Sequence, residues 1–392
     1  MTRLTSRRSL LGMLGATTIA GGAAGIASVP AYASPDQAAA SVDAGRLREY
    51  CEFVQQRAAQ DQFSGNVMLA RRGKPVLVRS YGMADKARSA ANTADTVFWL
   101  ASITKCFTAL AIAQLAEQGS LAFTDTLGTY LPGFSDDAAA ATIQQLLTHT
   151  SGVGRPALGP GNPDELKWNS FDEVMDGTLD AARKAPLQCT PGSRFVYSND
   201  GFFVLAAIVA KVTGQSYFDY VRERVFGPAD MHATDFYSRP QVQADERIAR
   251  PYFTQPDGSR ADLMSSPYTP FSAGPAGGAY TTASDLLSFA TNLTDGSLIS
   301  PAFAALLTGG KVAVPPAQPP SQAEFYAFGH LEAAVNGQRV LGNKGGGPGV
   351  ATRLDIFPAG GWVSIVLSNY DTTIDPIVQA ARQLVNAEPG TS

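Results

Sequence analysis

The chain has a serine three residues before a lysine, in the segment Ser102-Ile103-Thr104-Lys105. Residues i and i+3 share one face of an α-helix, so the Ser102 hydroxyl and the Lys105 amine can come within hydrogen-bonding distance. A serine oxygen becomes a nucleophile when an adjacent base takes its proton. An ordinary lysine is protonated at neutral pH, so Lys105 can be that base only if burial or nearby positive charge lowers its pKa. The spacing therefore predicts a serine hydrolase with an uncharged lysine.

A second group of candidate residues follows in the segment Tyr197-Ser198-Asn199. A buried tyrosine beside a lysine can share or relay a proton, and an asparagine amide can orient both the lysine and a substrate carbonyl. We therefore predict Ser102, Lys105 and Tyr197 as the catalytic residues. Asn199 is the predicted orienting residue.

The two motifs together resemble those of the penicillin-recognising serine hydrolases related to class C beta-lactamases. That family includes D-alanyl-D-alanine carboxypeptidases, D-aminopeptidases and beta-lactamase-fold esterases. The resemblance rests also on four further segments, Phe98–Ala101, Leu146–Gly152, Val212–Tyr217 and Gly277–Leu286. It implies a small-molecule or peptide substrate with an ester or amide carbonyl, and a site that uses neither a metal nor another cofactor.

The third motif of that family, Lys-Thr-Gly or His-x-Gly on a strand beside the nucleophile, is altered here. The matching stretch is Asn343-Lys344-Gly345-Gly346. One register puts Asn343 where the family has a cation, and a shift of one residue puts Lys344 there; a slip of one residue exchanges the faces of a strand. The resemblance implies that Asn343 or Lys344 contacts substrate. In the first register, it implies an oxyanion hole formed by the backbone N–H groups of Ser102 and Gly346.

Hydrophobic periodicity predicts the elements that must position these residues. A helix is expected over 102–118, strands over 64–70 and 75–81, further strands over 339–343, 351–357 and 362–369, and a last helix over 375–386. Strands become rare between about 125 and 240. We therefore predict an α/β fold of the α+β kind, in which an antiparallel sheet built from both chain ends is flanked by helices and carries an inserted, mostly helical subdomain, as in beta-lactamases and transpeptidases.

Other catalytic schemes find little support in the sequence. Only three histidines are present, His149, His232 and His330, and there is no Gly-x-Ser-x-Gly or His-Glu-x-x-His motif. A Ser-His-Asp triad and a zinc site are therefore disfavoured. His149, in the Leu146–Gly152 segment, is expected to have a structural hydrogen-bonding role.

The N-terminal segment has the pattern of a twin-arginine export signal. Arg7 and Arg8 precede an apolar stretch over 10–27 that is interrupted by glycines, and Ala31-Tyr32-Ala33 is typical of a cleavage site. The predicted organisation is a leader over 1–33, a hydrolase domain over 34–386 with its helical insertion at about 125–260, and a tail over 387–392. A periplasmic or secreted protein without a stable membrane anchor is expected.

Charge and cysteine content restrict the partners. The formal net charge is −4, and removal of the leader would delete three arginines and no acids, so no basic surface for nucleic acid is expected. Three cysteines cannot all pair within one chain, and a disulfide framework is disfavoured. The sequence defines no oligomeric state.

The sequence therefore predicts an exported serine hydrolase that cleaves an ester or amide through an acyl-enzyme on Ser102. A D-alanyl-D-alanine carboxypeptidase or a weak beta-lactamase is the alternative within the same chemistry. A pseudoenzyme that binds cell-wall peptides is the alternative of another class, and the altered motif at Asn343 is the feature that favours it.

Overall fold

The computed structural model describes residues 43–156, 163–315 and 323–386. The predicted leader and the predicted tail lie outside the described residues. The strands are β1 Gly65–Arg71, β2 Lys74–Tyr81, β3 Met83–Asp85, β4 Ala90–Ala91, β5 Phe98–Trp99, β6 Asp235–Phe236, β7 Tyr252–Thr254, β8 Arg260–Asp262, β9 Ala279–Thr281, β10 Val312–Ala313, β11 Glu324–Tyr326, β12 Leu331–Val335, β13 Gln338–Gly347, β14 Val350–Phe357 and β15 Trp362–Ser368. The α-helices are α1 Ala44–Ala59, α2 Thr104–Glu117, α3 Leu127–Tyr130, α4 Asp136–Ala139, α5 Ile143–Leu147, α6 Phe171–Lys184, α7 Asp200–Thr213, α8 Tyr217–Val221, α9 Arg239–Ala244, α10 Gly274–Gly277, α11 Ala283–Asp295, α12 Pro301–Thr308 and α13 Asp375–Asn386.

Eight strands form the main sheet, in the order β10-β11-β12-β13-β14-β15-β1-β2. Every neighbouring pair in this sheet is antiparallel. The hairpin β1-β2 comes from the first quarter of the chain and pairs with β15 near its end, so both chain ends build the sheet. The predicted fold class is thereby confirmed.

The central strands of this sheet are covered on both faces. Along β1, Val67 and Leu69 pack in one apolar cluster with α1 and α13, whereas Met68 and Ala70 belong to the larger cluster that includes α2 and α11. Alternate residues of a strand point to opposite faces, which explains this division. The helix α2, which follows the predicted nucleophile, therefore lies on the second face.

The helix α2 is a core helix and not a surface helix with one apolar side. All twelve residues from Thr104 to Leu115 are buried, as expected of a helix that is packed on all sides. The helix was predicted to start at Ser102, but Ala101–Ile103 form one 3₁₀ turn and α2 begins at Thr104. Ser102 therefore lies in the tight turn that leads into the helix.

The predicted helical insertion, 125–260, contains α3 to α9 and the short strands β6 and β7. Strand β6 pairs with β9, which pairs with β5 just before Ser102. Within the described residues, no single helix is long and apolar enough to cross a membrane; only the bent pair Asp200–Thr213 and Tyr217–Phe226 passes by length and composition when its two helices are counted together.

A buried ion-pair network joins β14 to the last helix. Asp355 accepts hydrogen bonds from Arg353 Nε at 2.6 Å and from Arg382 Nε at 2.7 Å, and its side chain is only 1% exposed. Burial alone would raise the pKa of Asp355, but the charges of the two guanidinium groups outweigh burial and lower it below its ordinary value of 3.8. The ionised carboxylate is therefore part of the folded state.

We expect Asp355→Asn to lower the free energy of unfolding by about 3 to 5 kcal/mol, because it removes the buried carboxylate that two guanidinium groups share. Because folding lowers the pKa of Asp355, the wild-type advantage is complete above the unfolded-state pKa and disappears as the pH falls through the folded-state pKa. Urea unfolding at neutral and at acid pH measures this. In the control, Asp180→Asn removes an exposed partner of Arg183, and we expect a loss under about 1 kcal/mol. Equal losses in both variants would contradict the prediction.

Candidate active site

The structure brings Ser102, Lys105 and Tyr197 into direct contact. Ser102 Oγ lies 2.7 Å from the Tyr197 hydroxyl oxygen and 3.1 Å from Lys105 Nζ. The 3₁₀ turn and the first turn of α2 position Ser102 and Lys105, and the segment before α7 supplies Tyr197. The serine oxygen thus has two groups within reach that can take its proton.

The Lys105 amine is fully enclosed and has two further partners. It donates to Asn199 Oδ1 at 2.8 Å and to the backbone carbonyl of Ala276 at 2.7 Å. A neutral amine has two hydrogens and one lone pair, so these two acceptors use both hydrogens. The lone pair is then left for the Ser102 hydroxyl, which is the arrangement that a base requires.

Burial of the Lys105 side chain favours this neutral form. The residue is 0% exposed, and burial lowers the pKa of its amine below the ordinary value of 10.5, while the neighbouring Tyr197 phenol opposes the shift. The amine also lies 4.9 Å from the centre of the Tyr197 ring and 5.4 Å from that of Phe202. No carboxylate accepts a hydrogen bond from Lys105 within the part of the chain that the structure describes, so its charged form lacks the partner that a buried ammonium needs.

His149 packs against Tyr197 and binds the backbone of the next residue. Its Nδ1 accepts the backbone N–H of Ser198 at 3.1 Å, and its ring centre lies 4.3 Å from that of Tyr197. Burial, with a smaller effect of Lys105, lowers the pKa of His149 well below 6.5, so its ring is neutral. Its contacts give it a structural part in orienting the segment that contains Tyr197.

The third motif lies on β13, where the Asn343 side chain is buried and that of Lys344 is exposed. Asn343 is buried, and its Nδ2 donates to the Gly329 carbonyl at 2.8 Å. Lys344 points to the other side of the strand, where its amine forms an ion pair with Glu324 at 2.8 Å. Neither Asn343 nor Lys344 is among the described residues that line the cleft beside Ser102. The structure thus places the Asn343 side chain in the interior and the Lys344 side chain on the outer side of β13, and the contact of either with substrate stays a prediction.

The glycines of this motif bring β13 close to the nucleophile. A Cβ on Gly345 would lie 2.1 Å from the Leu100 carbonyl oxygen, so this position requires glycine for a close backbone approach. Gly346, the next residue, lines the cleft beside Ser102, and a Cβ there would meet only open space. Gly346 therefore lies at the cleft surface, and its part in an oxyanion hole stays a prediction.

The cleft beside Ser102, called here the catalytic cleft, has a volume of about 290 Å³. The residues that line it are Trp99, Ala101, Ser102, Arg155, Pro156, Glu165, Trp168, Val174, Thr178, Asn199, Asp200, Phe203, Pro270, Ser272, Ala273, Ala276, Gly277 and Gly346. The guanidinium group of Arg155 in this cleft is neutralised by two acids. It forms two hydrogen bonds to Asp200 at 2.8 Å and one ion pair with Glu165. Formally, one cation faces two carboxylates there.

Several residues of this site were missed by sequence reasoning. Sequence reasoning named no contact between the Ala276 carbonyl and Lys105, and the ion-paired Arg155 and Asp200 are 45 residues apart in the chain. The sequence offered one indication that Asp200 belongs to the site, because Asp200 directly follows the predicted orienting residue Asn199. A backbone acceptor such as that of Ala276 has no signal in residue type at all.

Among the described residues, no group of three or more His, Cys, Asp or Glu side chains is arranged to hold a metal ion. Cys106 is buried beside Lys105 in sequence, and its thiol contacts the Gly329 carbonyl at 3.4 Å, away from the catalytic groups.

Comparison with known proteins agrees with this geometry. A family model described as Beta-lactamase matches residues 52–387. The chain is 32% identical to esterase EstB of Burkholderia gladioli, over 65% of this chain and 72% of the esterase. It is also 32% identical to the putative penicillin-binding protein PbpX of Bacillus subtilis, over 61% of this chain and 56% of that protein. A solved penicillin-binding protein from Bacillus halodurans superimposes with a TM-score of 0.70 at 27% identity, over 84% of this chain and 98% of that one.

The matches to the first curated relatives are partial. The chain spans about half of the length of those relatives, 56% in one case and 39% in the next.

Proposed function

This chain belongs to the Beta-lactamase family, as its motifs predict, and from that premise we propose that it is an exported serine hydrolase that cleaves an ester or amide bond through an acyl-enzyme on Ser102. One observation supports the proposal most strongly. The buried Lys105 amine lies 3.1 Å from the Ser102 hydroxyl, and Asn199 Oδ1 and the Ala276 carbonyl accept hydrogen bonds from it.

The proposed reaction has two half-reactions. Ser102 Oγ bonds to the substrate carbonyl carbon while its proton passes to Lys105 Nζ, and the backbone N–H groups of Ser102 and Gly346 hold the oxyanion. The proton then passes, with the help of Tyr197, to the alcohol or amine as that group leaves. Water attacks the resulting ester, gives its proton to Lys105, and the same proton returns to Ser102 as the acid departs.

An ester or an amide suits this site better than a beta-lactam. The cation with which the family binds a carboxylate next to the scissile bond is replaced by Asn343, and Lys344 is engaged by Glu324 on the outer side of β13. The Arg155 charge is neutralised by two carboxylates. A carboxylate close to the reacting carbonyl would therefore find no unpaired cation among the described lining residues of the catalytic cleft.

Export is the second part of the proposal. The twin-arginine pattern and the Ala31-Tyr32-Ala33 segment support a leader that is removed after residue 33. The mature hydrolase would then act in the periplasm or outside the cell.

Intact-mass spectrometry tests both parts. The protein is purified from the exported fraction of an expressing host and exposed to a fluorophosphonate. We expect a chain that begins at Ser34 and gains one covalent adduct, which peptide mapping places on Ser102, because only an activated serine reacts fast. Ser102→Ala is the control and should gain none. An unmodified wild-type protein, or the same adduct on the control, would contradict the catalytic assignment, and an uncleaved chain would contradict export.

A further inference from the structure

A second cleft adjoins the catalytic cleft and shares four lining residues with it, Trp99, Pro270, Ser272 and Ala273. We call it the aromatic cleft, because Trp99, Tyr237, Tyr268, Phe271 and Tyr280 contribute to its lining. Its volume is about 190 Å³. A protein cavity of about 150 Å³ accepts a benzene molecule, so this cleft is large enough for one aromatic ring.

The aromatic side chains of this cleft pack against one another, and Trp99 lines both clefts. The Trp99 indole N–H donates to the Gly277 carbonyl, and the Trp99 ring stacks on Tyr280 with ring centres 6.3 Å apart and an angle of 19° between the planes. Tyr237 packs edge-on against Tyr280 at 5.6 Å. Fixed aromatic faces of this kind favour a planar apolar group, through burial and through stacking. The side chain of Tyr268 is 80% exposed at the rim of the cleft, where a ligand could cover it.

Arg239, at the start of α9, also lines the aromatic cleft. Its side chain donates to the Thr269 carbonyl at 2.8 Å. Within the part of the chain that the structure describes, no carboxylate oxygen lies within 4.0 Å of a guanidinium nitrogen of Arg239, so Arg239 forms no ion pair there. The guanidinium has five N–H donors, and this contact uses one of them. Its other donors are therefore available for a ligand.

The other cations near the two clefts are already paired. Arg155 contacts Asp200 and Glu165, and Lys344 contacts Glu324. Arg239 is thus the described cation at these clefts whose charge is not compensated by an acid. An arginine in a partly apolar site binds a carboxylate through two parallel hydrogen bonds, and it does so more strongly there than in open water.

We propose that the aromatic cleft is a substrate subsite for an aryl or arylalkyl carboxylate, whose ring packs against Trp99 and Tyr280 and whose carboxylate pairs with Arg239. This deepens the proposed function and depends on it, because the two clefts share four lining residues and Ser102 lines the first. The substrate would then be an ester or amide with an aromatic arm that carries a negative charge at a distance from the scissile bond. Arg239 of α9 would then supply the positive charge that is absent from β13 at Asn343.

The competing explanation is that Arg239 only fastens a loop. Its backbone N–H donates to the Phe271 carbonyl, in addition to the side-chain bond to Thr269, so it links α9 to the stretch over 265–273. A purely structural role would affect neutral and anionic ligands alike. A binding role would affect the anionic ligand alone, and the experiment depends on this difference.

Calorimetry on the inactive Ser102→Ala protein measures binding apart from turnover. The two probes are phenylpropanoate and its neutral amide, phenylpropanamide. We expect the carboxylate to bind more tightly than the amide, and Arg239→Gln to weaken the carboxylate by about tenfold to a hundredfold, as for a hydrogen bond to a charged group, while the amide changes by less than about twofold. Arg239→Lys keeps the charge and should restore part of the preference. The control Arg79→Gln removes an exposed arginine of β2, outside both clefts.

The outcomes separate the proposals. Equal binding of the two probes, or an equal loss of both in Arg239→Gln, would overturn the subsite assignment. So would a carboxylate preference that is lost in Lys344→Gln and kept in Arg239→Gln. If Arg239→Gln unfolds, Arg239→Lys and the wild-type comparison of the two probes still decide. Absence of any turnover of nitrophenyl acetate by the wild-type protein would instead contradict the proposed function, whatever the probes show.

Discussion

Replacement of Ser102 by alanine is expected to lower kcat by a factor of about 10³ to 10⁶, because the variant has no oxygen to form the acyl-enzyme. The geometry around the nucleophile would otherwise remain, since Tyr197 and Asn199 hold their positions through other contacts. The residual rate would come from water that uses the same cleft and backbone groups. Initial rates with nitrophenyl acetate at saturating concentration measure the effect.

Ser193→Ala is the matched control for that variant. Ser193 is an exposed serine of the segment before Tyr197, and its hydroxyl donates to the Thr190 carbonyl at 2.7 Å. Its replacement should leave kcat within about twofold, as for a surface substitution. Wild-type turnover by Ser102→Ala would remove the nucleophile from the proposal.

Replacement of Lys105 by methionine is expected to lower kcat by a factor of about 10² to 10⁴, the contribution of a general base. Methionine fills a similar volume without an amine, so the buried site stays packed. Lys105→Arg should be no better than methionine, because a guanidinium cannot lose its proton in a protein. Lys211→Met, on the exposed end of α7, is the control and should behave like the wild type.

The pH profile of the wild type gives a second measurement of the same residue. The base is the neutral amine, so kcat/KM should rise with pH as Lys105 loses its proton and then level off. Burial lowers the pKa of Lys105, so the midpoint of this rise lies below 10.5. A rise that persists unchanged in Lys105→Met would belong to another group and would contradict the assignment of the base.

Hydrophobic periodicity in the sequence predicted the hairpin near the start of the domain and the helix at its end. The hairpin expected over 64–70 and 75–81 is observed as β1 and β2, and the last helix is observed over 375–386, because alternation and helical periodicity are written into these short segments. The start of α2 was placed two residues early. The 3₁₀ turn at Ala101–Ile103 depends on contacts with Gly345 and Thr352, far along the chain.

The proposed catalytic residues could be singled out from the sequence, whereas the rest of the clefts could not. Ser102, Lys105 and Tyr197 stand in recognisable motifs, and the structure brings them together. The register of Asn343 and Lys344 was undecided because a strand of glycines has few side chains to define its faces. Arg155 with its two carboxylates, and Arg239 without one, could be told apart only after folding, since charge compensation is a property of neighbours in space.

The contact between Gly345 and the Leu100 carbonyl has a consequence for the timing of catalysis. Strand β13 and the turn that carries Ser102 touch backbone to backbone, and Thr352 adds a hydrogen bond from β14 to the same carbonyl at 2.9 Å. The two edges of the reaction centre therefore cannot drift apart while the protein is folded. Their spacing is established when the chain acquires its tertiary structure, so this part of the proposed reaction centre is assembled before a substrate molecule arrives.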